Sequence, residues 1–449
     1  MLALAALFLF YNLNLRPIPS GDSLPTVLGA ESLWLDGTFS VDRFADFIPP
    51  FAGYFHEENG HLVGNYPRMQ VVVASPFYAP LRLIPGVRSW PPEKLVVAGR
   101  IIEKIAASTL AVLCVWLFFR IAALHMEARY ALGLALVLGA ATPNASSAAQ
   151  ALWSQTLAMP FLLAATYAGL RSRTASRALL WVLSSAFLGG VAYMVRPTTG
   201  LFFASMGLVL LLVRRDWRQV AAFAAVGFAM IYLNATGNPG MQGTGSVEAT
   251  VHTFRGDLLA GVYGVLLSPA RGLFIYAPVL LLAVMGVWLA LRDRELRRGG
   301  ALAELMVLSV LYVGALTITI AKWNGWQGGY CFGPRLLLSA IPFALLATIP
   351  AWPRIVKGHS LRVLAGLLIS FGIFVQYVGV YHYPRGHWDS LPEPAEFHPE
   401  RYFDWSDNPI SRSFLAGPST ESYRILFAYL RGGPEGAKRV METNGVRIY

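Results

Sequence analysis

The fold class of this protein is decided by residues 96–124, which read VVAGRIIEKIAASTLAVLCVWLFFRIAAL. Apart from a few charges near its start and one near its end, the stretch is apolar throughout. A helix of about 20 apolar residues is long enough to span the hydrocarbon core of a bilayer. The segment therefore predicts a membrane-crossing helix.

Apolar runs of similar character recur along the chain. Together with residues 96–124 they number about eleven, and the others lie near residues 1–15, 130–144, 152–170, 178–195, 199–213, 219–234, 272–291, 301–321, 336–352 and 362–381. The pattern predicts an all-α polytopic membrane protein of about eleven transmembrane helices with a large first extracytoplasmic loop.

The composition excludes several classes of protein. The 449 residues are 55% hydrophobic and 14% charged, with a mean hydropathy of +0.50, whereas about a quarter of the residues in a soluble domain are charged. A soluble enzyme, a disordered protein and a nucleic-acid binder are therefore excluded. The two cysteines, Cys114 and Cys331, form neither a disulfide framework nor a metal-ligand spacing.

The basic residues indicate the orientation of the chain rather than an acidic ligand. The formal net charge is +11, and Lys and Arg gather in the cytoplasmic loops of membrane proteins. Every second connector is short and basic, which places these connectors in the cytoplasm: they contain Arg171, Arg173 and Arg177; Arg214, Arg215 and Arg218; Arg292, Arg294, Arg297 and Arg298; and Arg354, Lys357 and Arg362.

The other connectors are expected outside the cytoplasm, and with them any chemistry. Six of the eight histidines fall among these connectors and the tail that begins at residue 382. We expect a transmembrane domain over residues 1–381 and an extracytoplasmic tail over residues 382–449 that packs on the outer loops. The outer connectors are residues 16–95, 145–151, 196–198, 235–271 and 322–335.

Few charges fall inside the predicted spans. Arg100, Glu103 and Lys104 lie at the outer end of the second span, where snorkelling to the interface accounts for them. Inverted repeats and interrupted helices, which many secondary transporters show, are not evident. The sequence therefore predicts no ion path through the membrane.

The first outer loop opens with a carboxylate beside the membrane. Asp22 follows the first span and is flanked by Gly21 and Pro25. Burial at this boundary could raise its pKa toward that of a working base. An N-cap for the following amphipathic stretch explains the same residue, because Asp caps helices well. Both interpretations remain open on position alone.

A second acidic group follows in the same loop, at His56-Glu57-Glu58-Asn59-Gly60. Adjacent Glu57 and Glu58 project to different faces, so at most one of them enters a site. A divalent cation is one explanation of this polarity, and a turn closing at Asn59-Gly60 is another. No second ligand set with motif spacing exists, so no metal site is predicted.

Three segments together resemble a known family. They are Gly64-Asn-Tyr66-Pro67-Arg68 leading to Ala74-Ser-Pro76-Phe-Tyr78, the stretch Leu267–Pro278 (LSPARGLFIYAP), and Trp323–Arg335 (WNGWQGGYCFGPR). They resemble the bacterial branch of the GT-C membrane glycosyltransferases, near the protein O-mannosyltransferase and lipid A aminoarabinose transferase group. The resemblance covers most of the chain in topology but only about 40 residues in motif.

The resemblance implies a function and a role for Asp22. GT-C enzymes pass a sugar from a polyprenyl-phosphate donor to an acceptor on the outer side, and they keep an acidic residue early in the first outer loop. Asp22 matches that position and would be the catalytic base or would orient the acceptor. Many members have a second acid next to it, but here Ser23 follows. Glu57 and Glu58 are the candidates to supply that second carboxylate.

Arginines at the outer ends of spans are candidates for the donor phosphate. Arg binds phosphate through a planar fork of donors. Arg335 follows Gly333-Pro334 at one outer mouth, and Arg271 and Arg196 lie at two others. Snorkelling to lipid head groups is the alternative for each. We favour Arg335 as the phosphate ligand, with Lys322 next and then Arg271 and Arg196.

The aromatic residues near Arg335 also admit two interpretations. Trp323, Trp326 and Tyr330 fit an interfacial belt, but the intervening glycines allow close backbone approach, which favours a role in lining a sugar or lipid site. Tyr66 and His252 are further candidates to donate hydrogen bonds to the sugar or the leaving phosphate.

The sequence thus favours a glycosyltransferase of the bacterial inner (plasma) membrane with its active site on the extracytoplasmic side. Its donor would be a polyprenyl-phosphate sugar, and its acceptor a cell-envelope glycan, lipid or protein. No cofactor is predicted, and if a divalent cation binds, the first-loop carboxylates are its expected ligands. The alternatives are a flippase or transporter for a lipid-linked sugar and a non-catalytic membrane assembly subunit.

Overall fold

The computed structural model describes residues 1–16, 20–48, 53–237, 253–294, 299–383 and 385–443. Helices dominate this part of the chain. In chain order they are α1 (Leu2–Asn12), α2 (Leu24–Leu35), α3 (Arg68–Tyr78), α4 (Pro92–Ala122), α5 (Ala128–Ala140), α6 (Ser154–Arg171), α7 (Ala178–Val195), α8 (Gly200–Leu208), α9 (Trp217–Gly237), α10 (Leu258–Leu267), α11 (Leu273–Tyr276), α12 (Leu281–Arg292), α13 (Ala301–Lys322), α14 (Ile341–Leu346), α15 (Trp352–Lys357), α16 (His359–Tyr381), α17 (Pro409–Ala416) and α18 (Glu421–Thr443).

Seven helical segments in the described part of the chain are long and apolar enough to cross a membrane. The polytopic α-helical class is therefore confirmed. These segments are Pro92–Ala122, Ala178–Val195, Pro197–Arg214, Trp217–Gly237, Ala301–Lys322, Arg335–Lys357 and His359–Tyr381.

The predicted number of eleven spans is not confirmed by these lengths. Four further apolar helices are only 10–17 residues long, among them Leu2–Asn12 and Ala128–Ala140. The predicted run 272–291 is divided, because Pro278 lies between α11 and α12 and has no N–H to continue a helix. Residues 235–271, expected as a loop, contain the apolar helix α10.

Two ends of the helical bundle can be distinguished by their connectors. At one end, here called the basic end, Arg214 Nε donates to Glu304 Oε1 at 2.9 Å, and Arg173 pairs with the same carboxylate. The opposite end, here called the loop end, carries residues 20–48 and 53–95 with helices α2 and α3. A hairpin of strands β1 (Phe55–Glu58) and β2 (His61–Gly64) lies there, with Phe55 opposite Gly64.

Two glycines allow helices in the bundle to approach closely. A Cβ added to Gly261 in α10 would lie 1.9 Å from the carbonyl oxygen of Ala321 in α13. A Cβ on Gly286 in α12 would lie 1.9 Å from the carbonyl oxygen of Ala347. Small residues at such crossings are typical of helix association within membranes, where backbone packing provides the attraction.

A buried polar network lies where the sequence predicted snorkelling side chains. Arg100 Nη1 donates to Glu103 Oε2 at 2.7 Å and to Ser23 Oγ at 3.1 Å. The Leu152 N–H donates to Glu103 Oε1 at 3.0 Å, and Lys104 donates to the Gln150 side chain. Arg100, Glu103 and Lys104 are all buried. The charges of Arg100 and Glu103 thus compensate each other inside the protein, and Lys104 is held by neutral oxygens of Ala149 and Gln150.

The tail beyond α16 contacts two different regions. Its first part covers the loop end, where buried Trp388 and Tyr402 surround the side chain of Arg271. Its second part contacts α16 through α17, and Tyr423 in α18 donates a hydrogen bond to the carbonyl of Leu13, the C-cap of α1.

Candidate functional site

The central feature of the site is an ion pair between two residues that the sequence singled out separately. Arg335 Nη1 pairs with the carboxylate of Asp22. Asp22 lies one residue before Ser23, the N-cap of α2, and makes no capping hydrogen bond there. Its carboxylate is therefore held by an arginine of a distant segment rather than by its own helix.

The position of Arg335 depends on the glycine two residues before it. Gly333 has φ +83°, in the left-handed region that favours glycine, and a Cβ there would lie 2.5 Å from the ring of Tyr276. The turn brings Arg335 to the start of a membrane-spanning segment, with its Cζ 5.1 Å from the ring centroid of Trp153. The guanidinium is thus fixed on one side by an aromatic face and on the other by Asp22.

Tyr66 completes the surroundings of Asp22. Its hydroxyl donates to Asp22 Oδ1 at 3.1 Å. Burial and the nearby Asp22 carboxylate raise the pKa of Tyr66 well above its usual range, so it remains a hydrogen-bond donor at neutral pH. Asp22 therefore receives hydrogen bonds from an arginine and a tyrosine that lie far apart in sequence.

These three side chains line a cavity of about 910 Å³ at the loop end. Arg196 and Trp323, both singled out from the sequence, line it as well. The rest of its wall is mainly polar or aromatic and includes Gln70, Trp153, Ser154, Gln155, Thr198, Phe254, Asn324, Gln327, Glu396 and Tyr402. The cavity is of the size that holds a drug-sized ligand.

Two arginines in the cavity wall keep donor capacity. Arg196 Nη1 donates to Ser154 Oγ at 2.8 Å. The buried Nε atoms of Arg196 and Arg335, however, have no hydrogen-bond partner within the described part of the chain. Both guanidinium groups line the same cavity, and the planar fork of an arginine suits a ligand with several acceptor oxygens.

Four other candidates at this end lie outside the described lining of the cavity. Arg271 is buried, pairs with Asp389 Oδ1 at 2.6 Å, and donates to the carbonyls of Gln327 and Gly329 at 2.8 and 2.9 Å. Lys322 Nζ donates to a backbone carbonyl, that of Gly256, at 3.0 Å. Trp326 packs against Tyr402 and Phe403, and Tyr330 is about half exposed.

The acidic pair of the hairpin also lies apart from Asp22. Glu57 is exposed on β1, and both oxygens of Glu58 accept from Arg68 Nη2 at 2.8 Å. In the described ranges, no three His, Cys, Asp or Glu side chains come together in a way that could hold a metal ion. His252 lies outside the described residues.

The structure adds a carboxylate that sequence reasoning missed. Glu396, in the tail, lines the same cavity as Asp22. Its neighbourhood, Pro394-Ala395-Glu396-Phe397, has no periodicity or spacing that relates it to residue 22. Only the folding of the tail onto the loop end brings the two acids to one cavity, so no local signal could have identified it.

Comparisons with solved structures place the fold. ArnT from Cupriavidus metallidurans bound to undecaprenyl phosphate aligns with a TM-score of 0.52 at 14% identity, over 98% of this chain and 74% of that one. The oligosaccharyltransferase of Archaeoglobus fulgidus in its apo form aligns with a TM-score of 0.52 at 11% identity, over all of this chain and 59% of that one. Both are GT-C glycosyltransferases.

The chain therefore has the GT-C fold that the sequence motifs indicated, and the resemblance is confirmed at the level of fold. It spans about three fifths of the length of the archaeal oligosaccharyltransferase and about three quarters of ArnT. No protein-family model matches the sequence, and no curated protein matches it.

Proposed function

We propose that this protein transfers a sugar from a polyprenyl-phosphate donor, such as an undecaprenyl- or decaprenyl-phosphate sugar, to an acceptor on the extracytoplasmic side of a bacterial inner membrane. One observation carries the proposal: Asp22, Arg335 and Arg196 line a single cavity at the loop end of the bundle. A base and a phosphate site are the two parts that this reaction needs. The undecaprenyl phosphate bound to the structurally similar ArnT agrees with such a donor.

The loop end is assigned to the extracytoplasmic side by charge. The opposite end carries the basic connectors, including Arg173 and Arg214 around Glu304. Because Lys and Arg concentrate on the cytoplasmic side, the cavity would open outside the cytoplasm. The acceptor would accordingly be a cell-envelope glycan, lipid or protein.

In the proposed reaction the donor phosphate lies against Arg335 and Arg196. The acceptor hydroxyl oxygen attacks the anomeric carbon, and the bond from that carbon to the phosphate oxygen breaks. The phosphate leaves with the electron pair, and Asp22 takes the hydroxyl proton. This is a single displacement with inversion. Arginine donors stabilise the charge that develops on the leaving phosphate, so no strong general acid is needed.

The pairing of Asp22 with Arg335 couples donor binding to the base. Without donor, the carboxylate is occupied by the guanidinium and by the Tyr66 hydroxyl. A phosphate that takes up the donors of Arg335 would weaken its pairing with Asp22 and leave the carboxylate freer to accept a proton. The base would thus become available once the donor is in place.

Roles for the other candidates follow from their contacts. Trp323 and Tyr66 line the cavity and would contact the sugar or the acceptor. Arg271 uses its donors on Asp389 and on backbone carbonyls, so we assign it to holding the tail rather than the donor. Glu396 replaces Glu57 and Glu58 as the proposed second carboxylate.

The proposal is tested by transfer of radiolabelled sugar from synthetic polyprenyl-phosphate sugars, using the purified protein and membrane extract as acceptor. Asp22→Asn should reduce transfer by about 10²- to 10⁴-fold, the usual contribution of a general base, while donor binding persists. Asp36→Asn is the matched control, because Asp36 pairs with Arg43 elsewhere in the same outer segment. Donor binding without transfer by the wild type would favour a flippase, and transfer by Asp22→Asn would remove Asp22 from the mechanism.

A further inference from the structure

Two helices of the tail present large apolar side chains that the protein leaves uncovered. We define the apolar tail face as Phe414 and Leu415 of α17 with Leu426, Phe427 and Leu430 of α18. Leu415 is 83% exposed, Leu430 69% and Phe427 58%. Single exposed apolar residues are ordinary, but a cluster of this kind marks an interaction surface.

The spacing in α18 places these apolar side chains on one face of the helix. Leu426, Phe427 and Leu430, with Tyr423 before them, follow the i, i+3, i+4, i+7 pattern of one helical stripe. Tyr423, at the start of the stripe, is half-buried, whereas Leu426, Phe427 and Leu430 are exposed. The stripe is therefore attached to the protein at its first residue and is uncovered from Leu426 onward.

Hydrogen bonds attach this region to the loop ends of two helices of the bundle. The Tyr423 hydroxyl donates to the carbonyl of Leu13, which caps α1. The Ser419 N–H donates to the carbonyl of Tyr381, the last residue of α16, at 2.9 Å. The start of α18 thus lies level with the end of α16, a helix long and apolar enough to cross a membrane.

The ring of Phe414 lies between the end of α16 and a position one or two turns inside it. Its centroid is 5.8 Å from that of His382, the C-cap of α16, and 5.3 Å from that of Phe374. Phe374 is seven residues before Tyr381, which corresponds to about 10 Å along a helix that rises 1.5 Å per residue. Phe374 belongs to the exposed apolar side of α16 together with Leu367 and Phe371. Through Phe414 the apolar tail face therefore adjoins the exposed apolar side of α16, a helix long and apolar enough to cross a membrane.

We propose that residues 409–431 lie in the outer membrane interface, with the apolar tail face inserted among lipid acyl chains. Continuity with the exposed side of α16 favours lipid over a second protein as the occupant. Arg424 and Arg431 are exposed beside the stripe, at positions suited to phosphate head groups. The segment ends where Gly433, with φ +60°, breaks the helix. The proposal stands independently of the catalytic function.

The test measures lipid contact in the full-length protein in nanodiscs. A bimane fluorophore is attached at Leu430→Cys or Leu415→Cys, and at Glu57→Cys on the polar hairpin as a control. Native Cys114 and Cys331 are both buried, so labelling favours the introduced cysteine, and unsubstituted protein gives the background. Because the substituted leucines are exposed, the fold should tolerate the change. The nanodiscs contain either ordinary phosphatidylcholine or its dibrominated form, whose bromines quench the fluorophore on contact.

We expect brominated lipid to quench the labels at positions 430 and 415 at least about threefold more than the label at position 57, as insertion at the head-group boundary requires. Efficient quenching of those two labels by aqueous iodide instead would overturn the proposal, since it would place the face in water. Protection from both quenchers would also overturn it, because another protein or a second copy of the chain would then cover the face.

Discussion

Arg335 and Asp22 form an ion pair across 313 residues of sequence. The aspartate follows the first helix of the chain, and the arginine opens one of the last membrane-spanning segments. Two groups that sequence motifs assign to separate roles, a base and a phosphate ligand, are therefore one structural unit. Changing Arg335 should therefore affect donor binding directly and proton transfer through Asp22, whereas changing Asp22 should affect proton transfer.

Replacing Arg335 by Lys should weaken binding of the donor lipid. Lys can still pair with Asp22 as a point charge, but it cannot offer phosphate a planar fork of donors. Loss of a charged hydrogen bond, about 1.5–3 kcal/mol, predicts a rise of about 10- to 100-fold in the Kd for polyprenyl phosphate. Titration calorimetry in detergent measures this. Arg43→Lys, in an ion pair with Asp36 outside the cavity lining, is the control. An unchanged Kd would exclude Arg335 as a phosphate ligand.

Replacing Glu396 by Gln should act on the acceptor rather than the donor. The change keeps the shape of a side chain that lines the cavity and removes its charge. We expect the KM for the acceptor to rise about tenfold, consistent with one charged hydrogen bond, and the donor Kd to stay the same. Glu400→Gln is the control, because Glu400 contacts His398 on the exposed tail. Equal acceptor KM values for both variants and the wild type would remove Glu396 from the site.

Breaking the pair between Arg271 and Asp389 should destabilise the tail. Both side chains are buried, and removing one partner of a buried ion pair costs about 3–5 kcal/mol. Arg271→Ala should therefore lower the midpoint of thermal unfolding, followed by intrinsic fluorescence in detergent. Arg412→Ala, which breaks a half-exposed pair with Asp407, should cost no more than about 1 kcal/mol. If Arg271→Ala loses donor affinity at unchanged stability, its assignment as a structural residue is wrong.

Two glycines on membrane helices should respond oppositely to alanine. A Cβ on Gly286 would lie 1.9 Å from the carbonyl oxygen of Ala347, whereas a Cβ on Gly314 meets nothing within 4 Å. Gly286→Ala should push α12 away and lower the thermal midpoint. Gly314→Ala should be neutral or stabilise by up to about 1 kcal/mol, the difference in helix propensity. Comparable midpoints for the two variants would contradict this packing.

The sequence alone supports the class of the protein and much of its architecture. Long apolar runs such as residues 96–124 predict membrane helices because the bilayer thickness dictates their length. The Trp323–Arg335 motif indicates the GT-C fold. The sequence alone also singles out five residues of the cavity wall, which are Asp22, Arg335, Arg196, Tyr66 and Trp323. These residues are visible locally because each lies at the end of a helix or in a glycine-rich turn.

Only the tertiary structure decided which of these residues share a cavity. Arg271 and Arg335 look alike in sequence, each within two residues of a Pro and a Gly, yet one pairs with Asp389 of the tail and the other with Asp22. The partner of a charged side chain depends on contacts between segments hundreds of residues apart, and no local pattern encodes those contacts. For the same reason only the tertiary structure places Glu396 in the cavity and buries the Arg100–Glu103 pair against Ser23 and Leu152.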